Sequence, residues 1–189
     1  MHFTVEAQNI VSKFLCPGDI AIDATAGNGF DTLFLTEAVG DSGMVYAVDI
    51  QSQAIEVVRQ KLREANRESR CQLVVASHDQ LASIVPQELH GRVAAAMFNL
   101  GYLPFGNKSI TTQASSTVAA LDQVLMLLKP NGLLCVLAYL GHDGGSEEAT
   151  EVAQWIKRNQ DALSIEKFQD ANNQRSPILW KLVRRAATP

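Results

Sequence analysis

The fold of this chain is decided by residues 20–33, which read IAIDATAGNGFDTL. The apolar residues 20–22 predict a short buried strand, and the chain then breaks into a glycine turn at residues 26–29. Apolar residues from Phe30 onward indicate a helix. Two closely spaced glycines permit a tight turn and let a ligand approach bare backbone. Strand, turn and helix together therefore predict a ligand site at the N-terminus of a helix.

The residues around this turn indicate which ligand it binds. A dinucleotide fingerprint, G-x-G-x-x-G, requires a third small residue where this chain has Thr32. We expect Asp23 to face the mouth of the turn, where its carboxylate would repel a pyrophosphate and attract an ammonium group. Asp49 ends the next apolar run and is placed to bind two ribose hydroxyls. This pattern favours S-adenosylmethionine over NAD or ATP; the alternative is a glycine turn with a purely structural role.

The composition excludes several classes of protein. The 189 residues carry a net charge of −4, which argues against a strongly basic nucleic-acid-coating protein but leaves room for a local basic patch. No apolar run approaches the roughly 20 residues needed to cross a bilayer, and no signal peptide is evident. Cys16, Cys71 and Cys135 are widely separated, so we expect no metal site. We predict a single cytoplasmic domain, residues 1–189, without membrane contact.

Alternating apolar segments predict an α/β fold. Strands are expected near residues 19–24, 44–48, 71–75, 93–98 and 133–139, and helices near 4–14, 29–39, 52–66, 80–85, 109–128 and 147–159. Residues 129–132 should form a turn between the long helix and the fifth strand. Only a polar run joins the last two strands, near 164–170 and 178–183, which predicts an antiparallel hairpin. The expected architecture is a three-layer, Rossmann-like, doubly wound sheet of seven strands, mostly parallel with one antiparallel strand.

Four segments resemble a known family. AIDATAGNGFDTLFL, VDIQ, NLGYLP and YLGHDGG are similar to class I methyltransferases long labelled putative rRNA methylases, a family that includes the MnmM-type tRNA enzymes. The resemblance covers about residues 18–183, and its last two segments are more particular than the glycine turn. It implies a seven-stranded S-adenosylmethionine fold. It also implies N-methylation of the aminomethyl group of 5-aminomethyl-(2-thio)uridine at the tRNA wobble position, with S-adenosylhomocysteine as the product.

Residues of the later motifs supply candidates for the chemistry. Amino-methyltransferases often read Asn/Asp-Pro-Pro-aromatic after the fourth strand, and Asn99 and Tyr102 keep that spacing without the prolines. We expect the Asn99 carbonyl to accept a hydrogen bond from the acceptor amine and Tyr102 to stack a flipped base. The alternative is that Asn99 caps a turn and Tyr102 packs. His142 is a candidate base for the protonated amine, or a histidine merely hydrogen-bonded in its glycine loop.

The predicted site residues fall into three roles. The expected catalytic residues are Asn99, Tyr102 and His142. The expected cofactor-binding residues are Asp23, Ala26, Gly27, Asn28, Gly29, Asp31, Thr32, Asp49, Gln51, His78, Asp79, Asn99 and Gly101, with helix capping as the alternative for Asp31 and Thr32. The expected substrate-binding residues are Tyr102, Lys108 and Arg175, the last two as phosphate contacts. The arginines at 59, 63 and 67 are interpreted as a solvated helix face rather than a phosphate-contacting stripe.

Three functions remain open at this point. The first is a tRNA N-methyltransferase, and the second is a methyltransferase of the same fold acting on rRNA or a small-molecule amine. The third is a non-catalytic module that binds the nucleoside cofactor or RNA. No cysteine is expected on a strand-end loop, which disfavours carbon-5 methylation of a pyrimidine. A small acidic domain would gain phosphate-contacting area by pairing, so we also expect a homodimer.

Overall fold

The computed structural model describes residues 3–103, 110–173 and 175–186. Seven strands form one sheet in the order β3-β2-β1-β4-β5-β7-β6. They are β1 (Ile20–Asp23), β2 (Met44–Asp49), β3 (Cys71–Val75), β4 (Val93–Leu100), β5 (Leu128–Ala138), β6 (Leu163–Phe168) and β7 (Ile178–Arg184). Strands β1 to β5 are parallel, and β7 runs antiparallel to both β5 and β6. The predicted mixed sheet and its closing hairpin are confirmed.

Helices cover both faces of the sheet. They are α1 (Phe3–Val11), α2 (Phe30–Ala38), α3 (Ser52–Glu64), α4 (Leu81–Ile84), α5 (Ala114–Leu127) and α6 (Gly145–Arg158). Helices α1, α2 and α3 bury their apolar side chains in one core, and α4, α5 and α6 bury theirs in a second core. Successive strand residues face opposite cores, as Ala21 and Ile22 do, because side chains alternate along a strand. The result is the expected three-layer Rossmann-like arrangement.

Three element boundaries differ from the sequence-based prediction. Helix α1 ends at Val11, so its predicted extension to residue 14 is wrong. Helix α5 begins at Ala114 rather than near 109, because Thr111 forms an antiparallel bridge with Tyr102 and residues 110–113 are not helical. Residues 129–132 do not separate a helix from a strand. They lie within β5 at an irregularity of its pairing with β4, where Asn131 has a φ of 62°.

The order of the strands determines where a ligand can bind. The chain leaves β1 towards β2 on one side, and β4 pairs with β1 on the other. The connections on the two sides of β1 therefore run in opposite directions. In open α/β sheets such a reversal leaves a crevice at the carboxyl ends of the strands, where ligands bind.

Candidate active site

A cavity of about 1060 Å³ opens at the carboxyl ends of β1, β2 and β4. Helix α1 and residues 110–113 also contribute to its wall. The predicted site residues that line it are Ala26, Gly27, Asn28, Asp31, Asp49, Gln51, His78, Asn99, Gly101, Tyr102 and His142. The structure thus brings together residues that are up to 116 positions apart in the chain, from Ala26 to His142.

Several predicted residues do not line this cavity. They are Asp23, Gly29, Thr32, Asp79 and Arg175. Gly29 and Thr32 instead build the start of α2, and Arg175 is exposed on the hairpin loop. Lys108 lies outside the described residues.

The glycine turn is built by backbone conformations that favour glycine. Gly27 has a φ of 49° and Gly29 a φ of 80°, both in the left-handed region. A β-carbon on Gly29 would lie 3.1 Å from a methyl carbon of Val58, so glycine also lets α3 approach closely. The Gly27 N–H donates to Asp49 Oδ2 at 2.9 Å, which ties the end of β2 to the turn after β1.

Asp49 keeps acceptor capacity that the protein does not use. Its Oδ1 accepts the Gln51 N–H at 2.8 Å, and its Oδ2 accepts the Gly27 N–H. A carboxylate has about four acceptor sites. The remaining lone pairs of this cavity-lining group can therefore accept two further donors, such as adjacent ribose hydroxyls.

Asp23 does not face the mouth of the turn, contrary to the expectation from the sequence. Its side chain is fully buried, where Oδ2 accepts the Thr32 hydroxyl at 2.6 Å and Oδ1 accepts the Thr25 N–H at 3.2 Å. Burial raises the pKa of Asp23 to about 7, and the Asp31 carboxylate adds to this effect. Asp23 thus holds the start of α2 against β1 from beneath the turn. The Thr32 hydroxyl is used in the same contact.

Asp31 is the carboxylate of α2 that lines the cavity. Its Oδ1 accepts Gln8 Nε2 at 2.7 Å, and its Oδ2 accepts Asn99 Nδ2. Burial raises the pKa of Asp31, while these two hydrogen bonds oppose the change. An ionised carboxylate can only accept, so Asn99 must turn its Nδ2 towards Asp31 and its Oδ1 away. That buried Oδ1 has no hydrogen-bond partner within the described ranges.

His142 presents a second unused acceptor. Its Nδ1 lies 2.9 Å from the Asp143 carbonyl oxygen and 3.3 Å from the Thr111 hydroxyl. A carbonyl only accepts, so Nδ1 carries the proton and Nε2 of the neutral ring carries a lone pair. Nε2 is buried and has no hydrogen-bond partner in the part of the chain that the structure describes. A β-carbon on Gly145 would lie 2.7 Å from it, so glycine at that position leaves room for the imidazole.

His78 forms the wall of the cavity beyond β3. Its Nε2 lies 3.2 Å from the Ser116 hydroxyl and 3.5 Å from the Thr117 hydroxyl, and burial lowers its pKa. Thr117 in turn donates to the buried carboxylate of Glu148 at 2.6 Å. This network joins α5 and α6 to the cavity wall.

Sequence reasoning missed Gln8 and Glu148. The apolar spacing of α1 indicated only a helix that packs on the sheet. No pattern within that segment indicates that Gln8 is the polar residue that contacts Asp31. Glu148 accepts the Thr112 hydroxyl at 2.7 Å as well as that of Thr117, but its position in the first turn of α6 is typical of a solvated acid. Only the packing of α6 against α5 buries it.

The aspartate, glutamate, lysine and arginine side chains in the described lining of the cavity are all acidic. No lysine or arginine appears among the described residues that line it, whereas Asp31 and Asp49 do. Such a lining suits neutral or cationic ligand groups better than phosphate or carboxylate. The three arginines of the stripe pair with acids outside the cavity: Arg59 pairs with Glu56, Arg63 with Glu68 and Arg67 with Glu37. These partly exposed ion pairs are compatible with the interpretation of this stripe as a solvated helix face, which stays a prediction.

The described ranges contain neither a candidate metal cluster nor a candidate membrane span. The histidine, cysteine, aspartate and glutamate side chains there form no group of three or more that could hold a metal ion. None of the helices described combines the length and apolar character that a membrane span requires.

Known proteins are similar to this chain over most of its length. The family model described as "Putative rRNA methylase" matches residues 45–184. The chain is 40% identical over 199 residues to the chloroplastic tRNA (mnm(5)s(2)U34)-methyltransferase of Arabidopsis thaliana, an alignment that covers 96% of this chain and 69% of that protein.

Two solved structures are also similar. A crystal structure of a putative rRNA methylase from Clostridium thermocellum aligns with a TM-score of 0.90 and 34% identity over 96% of each chain. A putative methyltransferase from Streptococcus mutans in complex with SAH aligns with a TM-score of 0.84 and 32% identity, covering 96% of this chain and 97% of that one.

Proposed function

We propose a substrate for this chain, which belongs to the putative rRNA methylase family and is an S-adenosylmethionine-dependent methyltransferase. The proposed reaction is methylation of the primary amine of 5-aminomethyl-(2-thio)uridine at the wobble position of tRNA. The observation that carries this proposal is the unused Asn99 Oδ1, a buried acceptor in a cavity whose described lining residues include no lysine or arginine.

The cavity fits the cofactor on its own geometry. Asp49 retains acceptor capacity for ribose hydroxyls, and the bare backbone at Gly27 permits close approach by a ligand. When bound, S-adenosylmethionine supplies an electrophilic methyl group on a positively charged sulfur. We assign the ribose contact to Asp49 and the wall beside the base to His78, with the backbone of the glycine turn between them.

An amine acceptor suits the polarity of Asn99. An amine N–H donates to Asn99 Oδ1, and this hydrogen bond directs the nitrogen lone pair away from the amide. Asp31 fixes the orientation of that amide from its other end, and Gln8 fixes Asp31. With S-adenosylmethionine bound, a bond would form between the amine nitrogen and the methyl carbon as the carbon–sulfur bond breaks, and S-adenosylhomocysteine would leave.

His142 is the proposed proton acceptor. An alkyl amine is largely protonated at neutral pH and must lose a proton before it attacks. The hydrogen bond from His142 Nδ1 to the Asp143 carbonyl leaves the lone pair on Nε2, which can take that proton. Tyr102 lies edge-on to the imidazole, with ring centroids 6.1 Å apart, and is proposed to stack the flipped uridine.

Carbon-5 methylation of the pyrimidine is the less favoured chemistry. It would need a cysteine thiolate beside the base. Burial raises the pKa of Cys71 and of Cys135 to about 12, and neither lines the cavity. Cys16 is exposed and also lies away from the cavity lining.

The choice of tRNA is supported by the Arabidopsis relative, whose name states that substrate. An rRNA or a small-molecule amine is the alternative. Because that relative is chloroplastic, the cytoplasmic location of this protein stays a prediction, as does the homodimer.

The test supplies purified protein with methyl-labelled cofactor and three acceptors. These are tRNA isolated with unmethylated 5-aminomethyl-2-thiouridine, rRNA from the same cells, and a set of small primary amines. We expect label in the wobble nucleoside of the tRNA, identified by liquid chromatography and mass spectrometry. Asp161→Asn, an exposed substitution away from the cavity lining, serves as the control variant. Label confined to rRNA or to free amines would refute the proposed substrate.

A further inference from the structure

Exposed hydrophobic side chains are concentrated around the mouth of the cavity. Five of the nine large hydrophobic residues that the described part of the chain exposes line this cavity: Val5, Phe30, Ile50, Tyr102 and Tyr139. A set of exposed apolar side chains at one opening marks a binding surface rather than ordinary surface scatter. Phe30 is the most exposed of them, at 67%. It is the first residue of α2, directly after the glycine turn.

Lys61 of α3 is held against this aromatic ring. Its Nζ lies 3.9 Å from the centroid of Phe30 and donates to the Asn28 carbonyl oxygen at 2.7 Å. An ammonium group has three N–H donors. The carbonyl uses one of them, so two remain for an anion that approaches the rim.

The neighbouring cations of α3 differ from Lys61 in their partners. Arg59 pairs with Glu56 and Arg63 with Glu68. Lys61 has no carboxylate within ion-pair distance among residues 3–103, 110–173 and 175–186. Its charge is therefore fixed in position by a carbonyl and a ring but is not neutralised. A fixed, uncompensated cation beside an exposed aromatic face is suited to a partner that is both flat and anionic.

We propose that Phe30 and Lys61 form an RNA subsite that stacks an unpaired base beside the acceptor nucleotide and contacts its phosphate. The inference rests on the proposed RNA substrate and adds a contact outside the methyl-transfer site. Proteins that bind single-stranded RNA combine aromatic stacking with basic groups along the backbone. A nucleotide flipped into the cavity exposes the faces of its neighbours. Phe30 lines the cavity and is exposed, so its ring is available to stack on one of them.

The experiment measures binding of an unmodified tRNA anticodon stem-loop, so it does not depend on methylation. Phe30→Ala is expected to weaken binding about 5- to 150-fold, the range found when a stacking aromatic is removed. Phe30→Trp should restore binding, whereas Phe30→Leu should not, because leucine keeps apolar bulk but has no π-face. Affinity for RNA falls as salt rises, and Lys61→Gln should make the plot of log affinity against log salt concentration less steep by about 0.7 to 0.9. Arg59→Gln, on the same helix and already ion-paired, should leave that slope unchanged.

Cofactor affinity and thermal unfolding of each variant check that the site and fold are intact. Unchanged RNA affinity in Phe30→Ala would overturn the inference, and so would full rescue by leucine. A dimer of the wild type that becomes monomeric in Phe30→Ala, with RNA affinity retained, would assign this rim to contact between copies instead. If the wild type binds the stem-loop through Phe30 but methylates no tRNA, the subsite stands and the proposed function fails. If the wild type binds no RNA, both fail.

Discussion

Replacing Asp23 by asparagine removes a buried ionisable group while keeping the shape of the side chain. The new Oδ1 can still accept the Thr25 N–H, and the new Nδ2 can donate to the Thr32 hydroxyl oxygen. In the wild type, burial raises the pKa of Asp23 from 3.8 to about 7. Between these two values the folded protein binds more protons than the unfolded chain does. The contribution of Asp23 to stability therefore falls as the pH rises through this window.

The magnitude follows from the size of this pKa change. The full change corresponds to about 4 kcal/mol of unfolding free energy, of which about 3 kcal/mol is lost between pH 5 and pH 8. For a chain of 189 residues, 1 kcal/mol shifts the midpoint of thermal unfolding by roughly 2–4 °C. The difference in Tm between Asp23→Asn and the wild type should thus grow by about 6–12 °C from pH 5 to pH 8 in favour of the variant.

The assay is thermal unfolding followed by circular dichroism at constant ionic strength, without cofactor, at half-unit intervals from pH 5 to pH 8. Asp161→Asn is the matched control, because it removes the same charge from an exposed position. Its Tm should run parallel to that of the wild type. Parallel curves for Asp23→Asn as well would refute the reasoning. They would mean that Asp23 does not titrate in this range, and that the pair formed with Thr32 keeps it ionised.

Two further predictions concern the site itself. Asp49→Ala should weaken S-adenosylmethionine binding by more than about 10-fold in calorimetry, because Asp49 holds the glycine turn and retains acceptor sites for ribose, whereas Asn99→Ala should mainly lower kcat. Equal loss of cofactor affinity in the two variants would contradict that division. Gly145→Ala should destabilise the protein by roughly 1–3 kcal/mol and lower turnover, because its β-carbon would lie 2.5 Å from the Tyr139 carbonyl oxygen and 2.7 Å from His142 Nε2. A variant with normal Tm and normal turnover would show that the His142 ring can move without consequence.

Local patterns determined most of the fold. The spacing of apolar residues predicted each strand of the sheet, and the polar connection before β7 predicted its antiparallel direction, because both depend on residues close together in the chain. The glycine turn was also predictable from the sequence, because Gly27 and Gly29 adopt left-handed conformations that few other residues accept. Two of the boundaries that failed, those of α5 and β5, involve pairing with distant residues. Residues 110–113 lie alongside Gly101 and Tyr102 instead of extending α5, because the bridge to that loop competes with helix formation.

The sequence by itself predicted the glycine turn after β1, and most of the candidate site residues that it supplied line the cavity beside that turn. Only the tertiary structure decided which of two nearby carboxylates reaches that cavity. Asp23 and Asp31 are eight positions apart, but β1 and α2 bury the first beneath the turn, while Gln8 from α1 and Asn99 from β4 hold the second in the wall. Burial is set by the elements that cover a residue, and no spacing within one segment encodes what another segment will cover.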